Sequence, residues 1–199
     1  MKKRDIDVFG VLLGLIVGCI LGFFLSTRIN LNKSPNEEEV MSEKGSVYLL
    51  QVAKLSNPKE AEDLLKELKV LGFEAVDVKK GTDLYYVYGG IALEEAKLAG
   101  LEAKYQEQGY QVKIVKENLL DKLNAELDGD ELDFWTECVH NLLNSLADKK
   151  VEVSPQYMLE LKHPEILAVI SFLKEDYDSE TTLLRLQLVA YELIVEGLE

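Results

Sequence analysis

The sequence is poor in the residues that most often carry chemistry: 2 His, 2 Cys and 1 Trp in 199 residues. Cys19 lies in an apolar run and Cys138 in a predicted helix, so they do not pair, and cysteine usage assigns no compartment. Cys138 and His140 stand two apart on that helix and point in different directions. No His-Glu-x-x-His or comparable cluster brings His140 or His163 together with other metal ligands. No glycine-rich phosphate loop follows a strand. These absences point away from an enzyme and from a bound cofactor or metal.

Positive charge is scarce as well. Lys and Arg number 22 against 36 Asp and Glu, a net charge of −14. The imbalance is local: residues 1–33 carry +3, 34–45 carry −3, 46–116 carry −1 and 117–199 carry −13. A near-neutral module followed by a strongly acidic tail repels phosphate backbones, which excludes a nucleic-acid partner. The remaining balance, 47% apolar and 29% charged, is that of a globular chain.

What the sequence does have begins with an apolar run. Val8 to Leu25 holds no charge, and as a helix these eighteen residues would span about 27 Å, close to a bilayer's hydrocarbon thickness. Lys2, Lys3 and Arg4 precede the run, whereas Arg28 and Lys33 follow it, which predicts a cytoplasmic N-terminus and extracytoplasmic C-terminal domains on a single-pass protein of the cytoplasmic membrane. Residues 1–26 therefore read as a short N-terminus and a transmembrane helix. Ile16-Val17-Gly18-Cys19 also resembles a bacterial lipobox, in which Cys19 would be lipidated. Gly10, Gly14, Gly18 and Gly22 line one helix face and would let a partner helix pack closely, giving a homodimer through the span. Residues 27–45 are polar and read as a flexible linker with a root-mean-square reach of roughly 24 Å.

Residues 46–116 write one pattern twice. Val47-Tyr-Leu-Leu-Gln-Val-Ala predicts a strand, Asn57-Pro58 opens a helix to about Leu71, Gly72 stops it, and Phe73 to Val78 is a second strand. The second copy runs from Leu84-Tyr-Tyr-Val-Tyr-Gly-Gly through a helix over about Leu93–Gln108 and Gly109 to a strand over Tyr110–Val115. This is a β-α-β-β-α-β module, giving an α+β fold with a four-stranded antiparallel sheet and two helices on one face. Alternation puts Tyr48, Leu50 and Val52 against those helices. The opposite face would carry Leu49, Gln51, Tyr85, Val87, Lys113 and Val115. An aromatic plate beside hydrogen-bonding groups suits a sugar, and Tyr85 with Gln51 supplies both; the other reading is that this face is buried under the helices that follow.

Gln51-Val52-Ala53-Lys54-Leu55-Ser56-Asn57 followed by Ala61, and Tyr86-Val87-Tyr88-Gly89-Gly90-Ile91 followed by Ala96, resemble the two half-motifs of the SPOR (sporulation-related repeat) domain. The resemblance covers residues 46–116 and implies binding of peptidoglycan glycan strands across the open sheet face, in bacterial cell division or sporulation. Gln51 matches the strand-one glutamine, Lys54 the position three later that is often Ser, and Tyr85 a strand-three position that is often Arg. Ala53 and Gly90 stand where Gly and Pro are usual. The glycan-binding set this implies is Leu49, Gln51, Lys54, Tyr85, Val87 and Lys113. The alternatives are a protein-interaction scaffold that has lost glycan binding, and a cytoplasmic ACT-like regulatory module, which shares the strand order.

Residues 117–199 read as an acidic helical domain outside that resemblance, and as the surface that would take a protein partner. Leu119, Leu120, Leu123 and Leu127 form one stripe; Leu132, Trp135, Val139, Leu142 and Leu146 a second, with Asp130 as cap. Ser154-Pro155, His163-Pro164 and Ser179 open three more helices. Trp135 and Cys138 are expected in the core.

Overall fold

The computed structural model describes residues 45–198 apart from 161, 162, 176 and 178. The expected span, the lipobox at Cys19, the stripe Gly10, Gly14, Gly18 and Gly22, and nearly all of the linker lie outside the described residues. Among the described residues no helix is long and apolar enough to cross a membrane. Lys44–Glu199 is one compact unit.

The duplicated pattern folds as β1 (Ser46–Leu55), α1 (Pro58–Val70), β2 (Val76–Lys80), β3 (Leu84–Ala92), a 3-10 turn (Glu95–Leu98), α2 (Ala99–Glu107) and β4 (Lys113–Asn118). All pairings are antiparallel, in the order β2-β3-β1-β4. Helix α1 starts where Asn57 accepts a hydrogen bond from the Lys59 amide at 3.0 Å and Pro58 occupies the first turn, where no amide partner is needed. Gly72 ends it with φ +82°, a left-handed value that a side chain would strain.

The strands β2 and β4 start three residues later than the alternation predicts. Phe73 and Tyr110 instead fold back on the helix ends: Phe73 stacks on Tyr105 at 4.1 Å, and the Tyr110 amide donates to the Tyr105 carbonyl at 3.1 Å.

Five helices follow: α3 (Leu119–Glu126), α4 (Gly129–Leu146), α5 (Pro155–Glu160), α6 (Pro164–Phe172) and α7 (Glu180–Glu196). Asn118 and Ser179 cap α3 and α7 through their side chains. The N-cap position of α4 falls on Asp128, not Asp130, without a side-chain capping hydrogen bond, and Gly129 follows it with φ +56°. Trp135 and Cys138 are each 3% exposed. Burial, with the negative Glu137 beside it, pushes the Cys138 thiol up to about 12, so it is an unreactive core residue.

Each face of the sheet has its own core. Leu50, Val52, Val87 and Ala92 pack under α1, the 3-10 turn and α2 with Ala61, Leu68, Leu98 and Tyr105. Val47, Leu49, Val76, Val78, Tyr88 and Ile91 pack on the other side with the helices after β4, in a core that continues through Trp135, Leu142, Ile166, Leu188, Tyr191 and Ile194. Helix α7 lies across β2 and β3, and α3 lies against β1.

Where α7 crosses β2, Glu192 is half-buried. Its carboxyl is pushed up to about 7 by burial and by the neighbouring charges of Glu196 and Asp77. A raised folded-state value means this group's stabilisation is complete below its ordinary 4.5 and is lost as pH rises through about 7. With allowance for solvent screening, Glu192→Gln is expected to stabilise the unit by about 1–2 kcal/mol at pH 8 and by almost nothing at pH 5. Thermal midpoints of both proteins at the two pH values test this, and a gain independent of pH would sink it.

Candidate functional site

The sheet face that carries Gln51 is the place to look for a ligand, and two irregularities decide what lies on it. The β1–β3 register runs Leu50 opposite Gly90, Gln51 opposite Tyr88, then Ala53 opposite Val87, so Val52 on one strand and Gly89 on the other are extra residues. A bulge reverses side-chain parity beyond it. Consequently Ala53, Leu55, Tyr85 and Val87 join the core beneath α1 and α2, while Lys54 and Tyr86 turn to the other face.

The six residues expected to share one surface therefore do not. Leu49 is fully buried under the C-terminal helices and Gln51 is only 8% exposed. Tyr85 and Val87 lie on the opposite face, Val87 fully buried there. Lys54 and Lys113 are exposed. Lys113 pairs directly with Gln51 across the β1–β4 ladder, and Lys54 pairs with Tyr86 across β1–β3. Both lysines thus flank Gln51 on its own face.

Gly89 and Gly90 are signals of this rearrangement in the sequence itself. A Cβ on Gly89 would stand 2.1 Å from the Tyr105 hydroxyl, and one on Gly90 would stand 2.8 Å from Leu101. Glycine is required for α2 to approach β3 this closely. The bulge that accompanies it inverts the tyrosines, putting Tyr86 where uniform alternation expects Tyr85.

What remains uncovered on the Gln51 face is a strip of lysines around one aromatic ring. Tyr86, half-buried, has the Lys54 ammonium 5.4 Å and the Lys80 ammonium 5.3 Å from its ring centre. Lys80 also donates to the Tyr88 hydroxyl at 2.8 Å and forms an ion pair with Glu117. Glu117 accepts from Lys122 at 2.8 Å and from the Tyr191 hydroxyl of α7 at 2.9 Å. Burial would raise the Glu117 carboxyl, but the hydrogen bonds from Lys122 and Lys80 outweigh it and hold the group below its ordinary value. Burial and the nearby Glu117 charge push the Tyr88 and Tyr191 phenols up, so both stay protonated donors.

Lys80 and Glu117 come from the two edge strands, with β3 and β1 between them. Their contact means that the sheet curls over this face and closes on α7. Among the described residues no group of three or more His, Cys, Asp or Glu is placed to hold a metal ion.

Residues 44–116, which contain the two strand-helix-strand copies and the bulged glycines, match the family model of the SPOR domain. Residues 44–116 are a SPOR domain. Among solved structures, this SPOR domain is similar to the peptidoglycan binding domain of the B. subtilis cell wall lytic enzyme CwlC, at 21% identity over 36% of this chain and 90% of that one, with a TM-score of 0.33. No curated protein matches the chain. The helices α3–α7 thus lie beyond the matched SPOR residues, and it is they that cover the sheet.

Proposed function

We propose that this protein is a non-enzymatic peptidoglycan-binding protein of the bacterial envelope, anchored in the cytoplasmic membrane by residues 8–25 and acting in division or sporulation. The observation that carries the reading is the uncovered strip of the SPOR domain: a tyrosine plate, the half-buried Tyr86, beside the exposed Lys54, with the exposed Lys113 one row away. An aromatic face takes the C–H side of a sugar ring, and ammonium groups take the carboxylates that a wall glycan carries on its lactyl ethers. The acidic surface of α3–α7 would be repelled by the same polymer, which confines contact to the basic strip.

Retention on amidase-treated sacculi tests this with the compact unit, residues 44–199. The double variant Lys54→Ala, Tyr86→Ala is expected to lose about tenfold or more of its affinity, as for removal of a stacking aromatic with a charged partner. Tyr85→Ala, on the opposite face, is expected to leave retention unchanged. Equal retention of the double variant and the parent would remove the strip from consideration.

A second reading, an interaction scaffold whose sheet has given up glycan, is favoured by the burial of Leu49 and Tyr88 in the core shared with the C-terminal helices and by the burial of Gln51. It predicts no retention by either protein. A reporter fused after Glu199 that works only in the cytoplasm would eliminate both envelope readings in favour of a regulatory module.

A further inference from the structure

The two helix layers meet past the end of β3, and the seam between them holds a groove of about 530 Å³, within the range of small-ligand clefts. Its floor is apolar. Ile91, Leu98 and Leu146 are buried there, and Leu101 and Leu184 are half-buried. The rim has two signs of charge: exposed Lys97 and Lys104 stand on the side of the 3-10 turn and α2, exposed Asp148 and Glu180 on the side of α4 and α7.

One wall of the groove is polar. Gln187 of α7 is 7% exposed and lines the cavity, and its amide nitrogen donates to Ser145 Oγ at 3.1 Å. Among the described residues the Gln187 carbonyl oxygen accepts no hydrogen bond. The Ser145 hydroxyl can donate or accept, so whichever way the amide is turned, one end is satisfied and the other is left for the groove. Among the described residues no buried side-chain nitrogen or oxygen is sealed off without a partner, so that end is open to the groove and can bond to what lies in it.

We propose that this groove binds a short peptide segment. Its apolar side chains would cover Leu98, Leu101 and Leu184, a backbone amide would pair with Gln187, a carboxylate would face Lys97 and Lys104, and an amine would face Asp148 and Glu180. A sugar does not suit the apolar floor, and an acyl chain uses neither the amide nor the two-signed rim. The site is separate from the wall-binding strip and does not depend on it.

Equilibrium dialysis of tritiated Lys-Leu-Leu-Glu against the full-length chain in mild detergent tests the proposal. Saturable binding is expected, weakened tenfold or more for Lys-Ser-Ser-Glu, because the floor is then unused. Lys97→Glu with Lys104→Glu changes exposed residues only and is expected to cost at least as much, while leaving sacculus retention intact. Gln187→Leu is expected to weaken binding about tenfold, the loss of one buried hydrogen bond. Absence of saturable binding, equal binding of the serine peptide, or full affinity in the double-lysine variant would each overturn the proposal.

Discussion

A chain ended after Asn118 is expected to lose the cooperative unfolding transition of the compact unit. Removing α3–α7 would uncover Val47, Leu49, Val76, Val78, Tyr88 and Ile91, each now under a tenth exposed. At about 1.5–3 kcal/mol for each large apolar side chain, the lost burial is on the order of 10 kcal/mol, comparable to the whole net stability of a domain. Lys80 and Glu117 would also lose the Tyr191 hydroxyl. Far-ultraviolet circular dichroism during a thermal ramp reads this directly. A sharp transition within a few degrees of that of residues 44–199 would mean that the sheet does not need its C-terminal helices.

Tyr191→Ala is the single substitution expected to do most damage, about 3–5 kcal/mol by analogy with large-to-small changes of aromatic residues. The ring is fully buried and meets Tyr88 edge-on at 5.5 Å, so the vacated space is walled by the sheet and cannot collapse easily. Its hydroxyl donates to Glu117, which would keep Lys80 and Lys122 but lose one partner in a low-dielectric site. Tyr191→Phe separates the two effects, because it keeps the ring and is expected to cost only about 1–2 kcal/mol. Urea midpoints for the three proteins decide it: near-equal losses in both variants would put the weight on the hydrogen bond and remove the packing argument.

Much of the fold was legible because its signals are local. Asn57-Pro58, His163-Pro164 and Ser179 mark helix starts through capping and the fixed geometry of proline, which depend on a few adjacent residues. The face assignment was legible only as far as the first bulge. Leu50 and Val52 were placed correctly, but the parity of Lys54, Tyr85 and Val87 depends on which residues pair across β1 and β3, and an extra residue in each strand inverts it. Tyr86 was hidden for that reason. The Lys80–Glu117 pair spans 37 residues and two intervening strands, so no periodicity announces it. Of the two fates open to the Gln51 face, burial holds for Leu49, Tyr88 and Gln51, whereas Lys54, Tyr86 and Lys113 escape it.

The way the chain enters the unit has a mechanical side. The Gly45 carbonyl accepts a hydrogen bond from the Leu119 amide at 2.8 Å, and β1 begins at the next residue with β3 on one side and β4 on the other. A pull arriving through the residues before Gly45 therefore runs along a central strand. It must shear two ladders of hydrogen bonds at once instead of peeling one open from an edge. A fold loaded in this way resists traction and yields all together, which suits a link that carries tension.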